Sequence, residues 1–212
     1  AVVNPNRLDE DGAYGHLCAT GVVFILLVGL VRRLREMGRV GPDRPAPDLI
    51  AYLDVVALAT VCDVVPLVGV NRAFVVQGLK VMAGRGHYGL AALADVAGLT
   101  DAPSPYSLGF LLGPRINAGG RIGNSDLGVK LLAATDPDEA TGLAARLDAL
   151  NHERRQIDET IRLEAIDLAH YNQNPVLILH NTAWHEGVIG IVAGRVRERF
   201  GKPALIIAMG PD

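Results

Sequence analysis

The chain has 212 residues, half of them hydrophobic and a fifth charged, with a formal net charge of −3 at pH 7. That balance makes it soluble and globular, long enough for one domain or two small ones. A negative net charge excludes strong nonspecific attraction to nucleic acid through the overall field, so any such contact has to come from a local basic patch. Aromatic residues make up only 5%, which leaves Trp184, Tyr106 and Tyr88 as the candidate stacking platforms for bases.

Taken in chain order, Leu17 to Met37 predicts a helix, apolar almost all round and then basic at Arg32, Arg33 and Arg35, where positive charge meets the negative end of the helix dipole. Its apolar run from Gly21 to Val31 is stopped by the arginines well short of the ~20 residues needed to cross a bilayer. It reads as a buried core helix, with no membrane partner. Residues 38–47 form a glycine- and proline-rich loop, and Asp48 caps a second helix that runs to about Val61. Further helices are expected over Asn71 to Ala83, Leu90 to Ala97 and Asp126 to Ala133, with Ser107 to Leu112 leading into a run of glycines and arginines. Cys18 and Cys62 have no metal-ligand or CxxC spacing and read as buried thiols suited to a reducing cytoplasm.

From Asp136 the signals are sharper. Asp136 stands as N-cap, Pro137 at the first helical position and Glu139 three residues after the cap. Leu143, Leu147, Leu150, Ile157, Ile161 and Leu168 then recur at helical spacings, predicting a helix to about residue 170, roughly 50 Å long. Arg154–Asp158 and Arg155–Glu159 read as ion pairs on a wet face, and the apolar seam lapses at Arg154. Such a helix is longer than a compact small domain needs and is expected to join two domains; a coiled-coil dimer is the alternative. After Asn172-Gln173-Asn174 the period changes. Pro175 to His180 reads as a buried strand, Gly187 to Phe200 as a helix and Pro203 to Met209 as a second strand, a parallel β-α-β unit.

Two stretches carry chemistry. Gly113-Pro114-Arg115-Ile116-Asn117-Ala118-Gly119-Gly120-Arg121 places arginines among glycines, where a backbone can approach a ligand closely and a guanidinium can clamp phosphate. The alternative is a helix that ends at a glycine turn with both arginines solvated. Asp63 lies inside the apolar stretch Ala57 to Leu67, where a carboxylate needs an arginine, backbone N–H groups or a cation to compensate it. Pro66 puts Asp63 at the end of an element, where site residues gather; the alternative is an aspartate that only caps a helix or makes a turn. A third loop, Trp184-His185-Glu186-Gly187, opens the late helix. His185-Glu186 lacks the second histidine of a zinc-protease motif because position 189 is Ile189.

These stretches, with Val3-Asn4-Pro5-Asn6 near the start, occur together in the order and approximate spacing of one family. The chain resembles the RecJ-type single-strand-specific exonucleases of the DHH phosphoesterase superfamily across nearly its whole length. The resemblance implies an α/β fold: a mainly helical end of a DHH catalytic domain over 1–135, a connecting helix over 136–172, and the first β-α-β unit of a second, DHHA1-type domain over 173–212. It implies hydrolysis of phosphodiester bonds from the 5′ end of single-stranded DNA in repair and recombination, with Mn²⁺ or Mg²⁺ in a two-metal site. Asp63 matches a metal-ligating, catalytic aspartate. Arg121, with Arg115 and Asn117, matches the part that meets the DNA end phosphate, and His185 falls near the phosphates or caps its helix. The Asp-His-His triplet that names the superfamily is absent from this sequence, as is the downstream Gly-Gly-His element. The expectation is therefore a fragment of a longer polypeptide, inactive alone. Another DHH phosphodiesterase, acting on oligoribonucleotides or cyclic dinucleotides, and a noncatalytic replication scaffold of the same fold are the alternatives.

Overall fold

The computed structural model describes residues 3–9 and 11–210. Its elements, in order, are α1 (Ala19–Glu36), α2 (Leu53–Cys62), α3 (Gly69–Ala83), α4 (Tyr88–Val96), α5 (Gly113–Ile122), α6 (Leu127–Ala133), α7 (Pro137–His170), β1 (Leu177–Asn181), α8 (Glu186–Phe200) and β2 (Ala204–Ala208). A 3-10 turn, Ile50–Tyr52, precedes α2, and a π-helical segment, Ser107–Leu112, leads directly into α5. Among the described residues no helix is long and apolar enough to cross a membrane.

The chain divides into two compact units, Ala1–Pro114 with Leu131–Ala144, and Arg115–Lys130 with Ala145–Asp212. The first unit is built of helices. Its core gathers Leu17, Phe24, Leu53, Val56 and Phe74, with the rings of Phe24 and Phe74 packed edge to face at 5.3 Å. Cys18 caps α1, its Sγ accepting from the Gly21 N–H at 3.4 Å, which gives that buried thiol a structural task. The sequence led us to expect α1 as a buried core helix. It buries Gly21, Phe24 and Val31, while Val23, Leu26, Leu27, Val28 and Leu30 face solvent. Uniform hydrophobicity hides which side of a helix is covered, so the sequence could not locate this open face.

In the second unit β1 and β2 pair in parallel, Leu177 opposite Ala204 and Asn181 opposite Ala208, with α8 between them in sequence. The expected β-α-β unit is therefore present. Only one face of its sheet is covered, because Leu177 and Leu179 are buried while Ile178 and His180 are exposed. The covered face packs on Val188, Val192 and Val196 of α8 and on Ile161 and Ala165 of α7. Trp184 joins this core at 4% exposure, its indole N–H donating to Glu164 at 2.8 Å. That burial withdraws Trp184 from the base-stacking platforms the sequence offered.

Helix α7 starts as its cap residues require. Asp136 Oδ1 accepts from the N–H groups of Asp138 and Glu139 at 2.9 and 2.8 Å, satisfying donors that the first turn leaves without carbonyl partners. Its buried stripe repeats every four and three residues through Ala140, Ala144 and Leu147. It continues through Asn151, Arg154 and Asp158, and apolar character returns at Ile161, Ala165 and Ala169. The stripe is thus not interrupted by a wet turn at Arg154: Asn151 is fully buried and Arg154 half-buried. The anticipated Arg155–Glu159 pair is replaced by Glu159–Arg162, three residues apart.

Candidate functional site

Asp63 is the C-cap of α2, as the proline three residues later implied. Its backbone N–H closes the helix on Ala59 O at 2.9 Å. The side chain is exposed and makes no hydrogen bond or ion pair with any described residue. This is an unfavourable place for a carboxylate, because the C-terminal end of a helix carries partial negative charge. No basic residue occupies the last turn of α2 to offset it. The next residue adds strain. Val64 has φ +56°, a left-handed conformation that a β-branched side chain rarely adopts. Asp63 is exposed, so water solvates its charge, and what stands out here is an accessible carboxylate at a helix end beside a strained residue.

The loop after Asp63 is anchored by a residue that leaves no signature in the sequence. Asn71, fully buried in the first turn of α3, donates from Nδ2 to the carbonyls of Pro66 at 3.0 Å and His16 at 2.9 Å. One amide thereby pins the segment that follows Asp63 and ties it to the residues before α1. Beside Asp63, burial pushes the Cys62 thiol up to about 11, with the Asp63 charge adding to the shift. Cys62 therefore stays a neutral thiol near pH 7, and its Sγ donates to Leu108 O at 3.6 Å. Asp54, at the other end of α2, is buried with its carboxyl pushed above the ordinary range by desolvation.

The glycine-arginine run is not a loop. Gly113–Ile122 is the continuous helix α5, and its glycines serve contacts within the protein. A Cβ at Gly113 would stand 2.4 Å from Cys62 Sγ, so the residue is kept bare by the thiol beside it. The arginines divide. Arg115 is 7% exposed and bonds Asp148 from Nε at 2.8 Å, an ion pair inside the second unit. Asn117 is exposed on the helix surface. Arg121, in the last turn, is exposed and donates from Nη1 to Gly187 O at 3.0 Å.

His185 is the N-cap of α8, its Nδ1 accepting from the Gly187 N–H at 3.0 Å. The ring thus caps its helix, and the bond on Nδ1 leaves Nε2 as the nitrogen available for other partners. Arg121 and His185 meet at Gly187. A Cβ there would lie 2.0 Å from the Arg121 carbonyl oxygen, so only glycine lets the start of α8 rest on the end of α5. The structure therefore brings Arg121 and His185 together. Asp63 belongs to the first unit and Arg115, Asn117, Arg121 and His185 to the second.

Asp63 offers the hard carboxylate oxygens that Mg²⁺ and Mn²⁺ prefer. It does so alone: among the described residues no three His, Cys, Asp or Glu side chains group closely enough to hold a metal ion. The residues present thus fit one ligand of such a site.

No family model matches the chain. Solved structures and sequence relatives do. The structure of RecJ from Thermus thermophilus in complex with Mn²⁺ superposes with a TM-score of 0.77 at 34% identity, over 89% of this chain and 27% of that one. The same enzyme in complex with Mg²⁺ gives the same TM-score and identity. The architecture is accordingly that of one part of RecJ. The single-stranded-DNA-specific exonuclease RecJ of Dickeya dadantii is 40% identical across the whole chain, and that of Escherichia coli is 39% identical. The chain is thus similar to the RecJ exonucleases along its whole length, and it spans 38% of the length of these relatives.

Proposed function

We propose that the chain is the part of a metal-dependent exonuclease that supplies one metal-binding carboxylate and a phosphate-binding arginine to the degradation of single-stranded DNA. The whole protein hydrolyses phosphodiester bonds from the 5′ end in repair and recombination in the cytoplasm. Its residues 1–135 complete a DHH catalytic domain, 136–172 connect, and 173–212 open a DHHA1-type domain. What supports this is identity to RecJ exonucleases along the full chain, joined to the one observation that carries the chemistry, the unpaired Asp63 carboxylate at a helix end that lacks a compensating cation.

Asp63 holds Mn²⁺ or Mg²⁺ together with ligands outside the set described above. When bound, such ions lower the pKa of a water molecule and stabilise the leaving oxygen. Arg121 contacts a phosphate of the strand through charge-assisted hydrogen bonds, and Asn117, exposed on the same helix, adds an amide to the surface that meets the DNA. His185 orients the α8 start and presents Nε2 toward that surface. Arg115, bonded to Asp148, fixes α5 so that Arg121 is held in place. Tyr106 and Phe110, exposed and stacked at 4.9 Å, offer an aromatic surface for unpaired bases.

The test is Asp63→Asn in the complete protein, which removes the charge and keeps the shape. Degradation of a 5′-phosphorylated single-stranded oligonucleotide with Mn²⁺ should fall at least about a hundredfold, with the thermal melt unchanged. Near-normal turnover in a folded variant would remove Asp63 from the site.

A further inference from the structure

The polar part of the α7 stripe is built in a way that its structural task does not explain. Asn151 is fully buried, and its Oδ1 accepts from Arg154 Nη2 at 3.2 Å. Its Nδ2 has no acceptor among the described residues, and neither has the buried Nε of Arg154. Asp158, one turn further on, leaves a buried Oδ1 without a donor. If Arg154 and Asp158 were a pair meant only to hold the helix in the fold, the direct bond between them would be closed, because an unmet buried donor or acceptor is costly. It is left open.

The surroundings add positive charge where burial already disfavours it. Desolvation lowers the Arg154 pKa, Asp158 opposes that shift, and Arg155 and Arg121 add to it. Arg121 is therefore near enough for its charge to be felt at Arg154. Helix α5 is pressed on this stretch of α7, since Gly119 abuts Leu147 and Gly123 abuts Leu150. Donors outnumber acceptors at this spot. Three guanidiniums, those of Arg121, Arg154 and Arg155, and the Asn151 amide stand against one carboxylate, Asp158.

We propose that Arg154, held by Asn151, is a second phosphate-contacting arginine beside Arg121, so that a nucleic-acid backbone is gripped by two guanidiniums. This rests on the reading of Arg121 as a phosphate contact. Asn151 is the positioning residue: its Oδ1 holds the Nη2 arm of the arginine, leaving the Nη1 arm for an anion. A phosphodiester oxygen meets this need because it is charged, accepts several hydrogen bonds and carries no proton to give. Asp158 limits the excess charge when no strand is bound.

The experiment measures binding of a fluorescent single-stranded oligothymidylate, 5′-phosphorylated, to the complete protein without divalent metal, by anisotropy over a series of salt concentrations. Arg154→Gln should weaken binding about tenfold or more and reduce the salt slope by about one, the signature of a lost phosphate contact. Asn151→Ala should weaken binding while leaving the slope unchanged, since both charges remain. An Arg154→Gln variant that melts earlier yet keeps the wild-type affinity and slope overturns the proposal. Should that variant not fold, Arg154→Lys decides: it keeps the charge, and a severalfold loss of affinity supports a fork-shaped contact, whereas unchanged affinity overturns it. Arg121→Ala separates the two readings. No effect there beside a clear effect at Arg154 sinks the Arg121 assignment alone, and the reverse pattern sinks Arg154 alone.

Discussion

At φ +56° the branched Cβ of Val64 crowds its own following carbonyl. The side chain is exposed, so no packing compensates for that crowding. What the conformation does is turn the chain sharply after Asp63, with the Val64 N–H returned to Val61 O at 3.1 Å and the next segment pinned by Asn71. Replacing Val64 with glycine should relieve ~1–2 kcal/mol of strain and return part of it through the greater freedom of glycine when unfolded, for a net gain of about 0.5–1 kcal/mol. If the strained turn aims Asp63, the same variant should lose Mn²⁺-dependent cleavage severalfold while melting later. A urea melt paired with a nuclease assay reads both, and a stabilised variant with full activity would mean that the strain is merely tolerated. The helix-end position of Asp63 was legible because a proline follows three residues later; its exposure was not, since the apolar run around it suggested a buried carboxylate in need of a partner. Asn71 and Asn151 were not, since an asparagine within a helical segment leaves no periodic trace and its worth depends on carbonyls or guanidiniums brought to it by the fold. The apolar seam does lapse at Arg154, as the sequence shows, but the half-burial of that arginine was hidden for a related reason, because it depends on what the fold packs beside it.

Among the elements, α7 was the most readable because its start is written in local chemistry, an acceptor at Asp136 and a proline without an N–H at position 137. The glycine-arginine run was the least. Glycine composition marks ligand-binding loops and tightly packed helices alike, and only the neighbours distinguish them. In α5 the neighbours are protein atoms, Cys62 Sγ at one end and the start of α8 at the other. The α5–α8 junction can be tested as an element. Gly187→Ala would place a Cβ 2.0 Å from the Arg121 carbonyl oxygen, a backbone atom that cannot swing aside. The junction must therefore open, at a cost of about 1–3 kcal/mol in the manner of an overpacked core. The Arg121 Nη1–Gly187 bond should loosen with it, so strand binding should fall alongside the chemical-denaturation midpoint. An alanine variant with wild-type stability would show that α8 does not rest on α5 in solution.

For the whole molecule, composition showed that enough apolar side chains exist for a core but not where the surplus lies. Part of it lies in two rows. One is on α1, at Val23, Leu26, Leu27 and Leu30; the other is on the open face of the β1–β2 sheet, at Ile178, Leu205 and Ile207. Scattered exposed apolar residues are ordinary, but contiguous rows on regular elements mark surfaces that bury themselves against something. The curated relatives are more than twice as long as this chain, so in proteins of that length there is further polypeptide to cover such rows. The 212-residue chain alone should therefore associate with itself, its apparent mass in light scattering rising with concentration. It should also show no degradation of single strands with added Mn²⁺, since Asp63 is one ligand and not a site. Changing Val23, Leu26 and Leu30 together to glutamine should reduce the association without lowering the melting temperature, because those side chains contribute little to the core beneath them. A monomeric chain at high concentration would show that these rows are tolerated by water, and robust nuclease activity would show that the described residues already contain a complete metal centre.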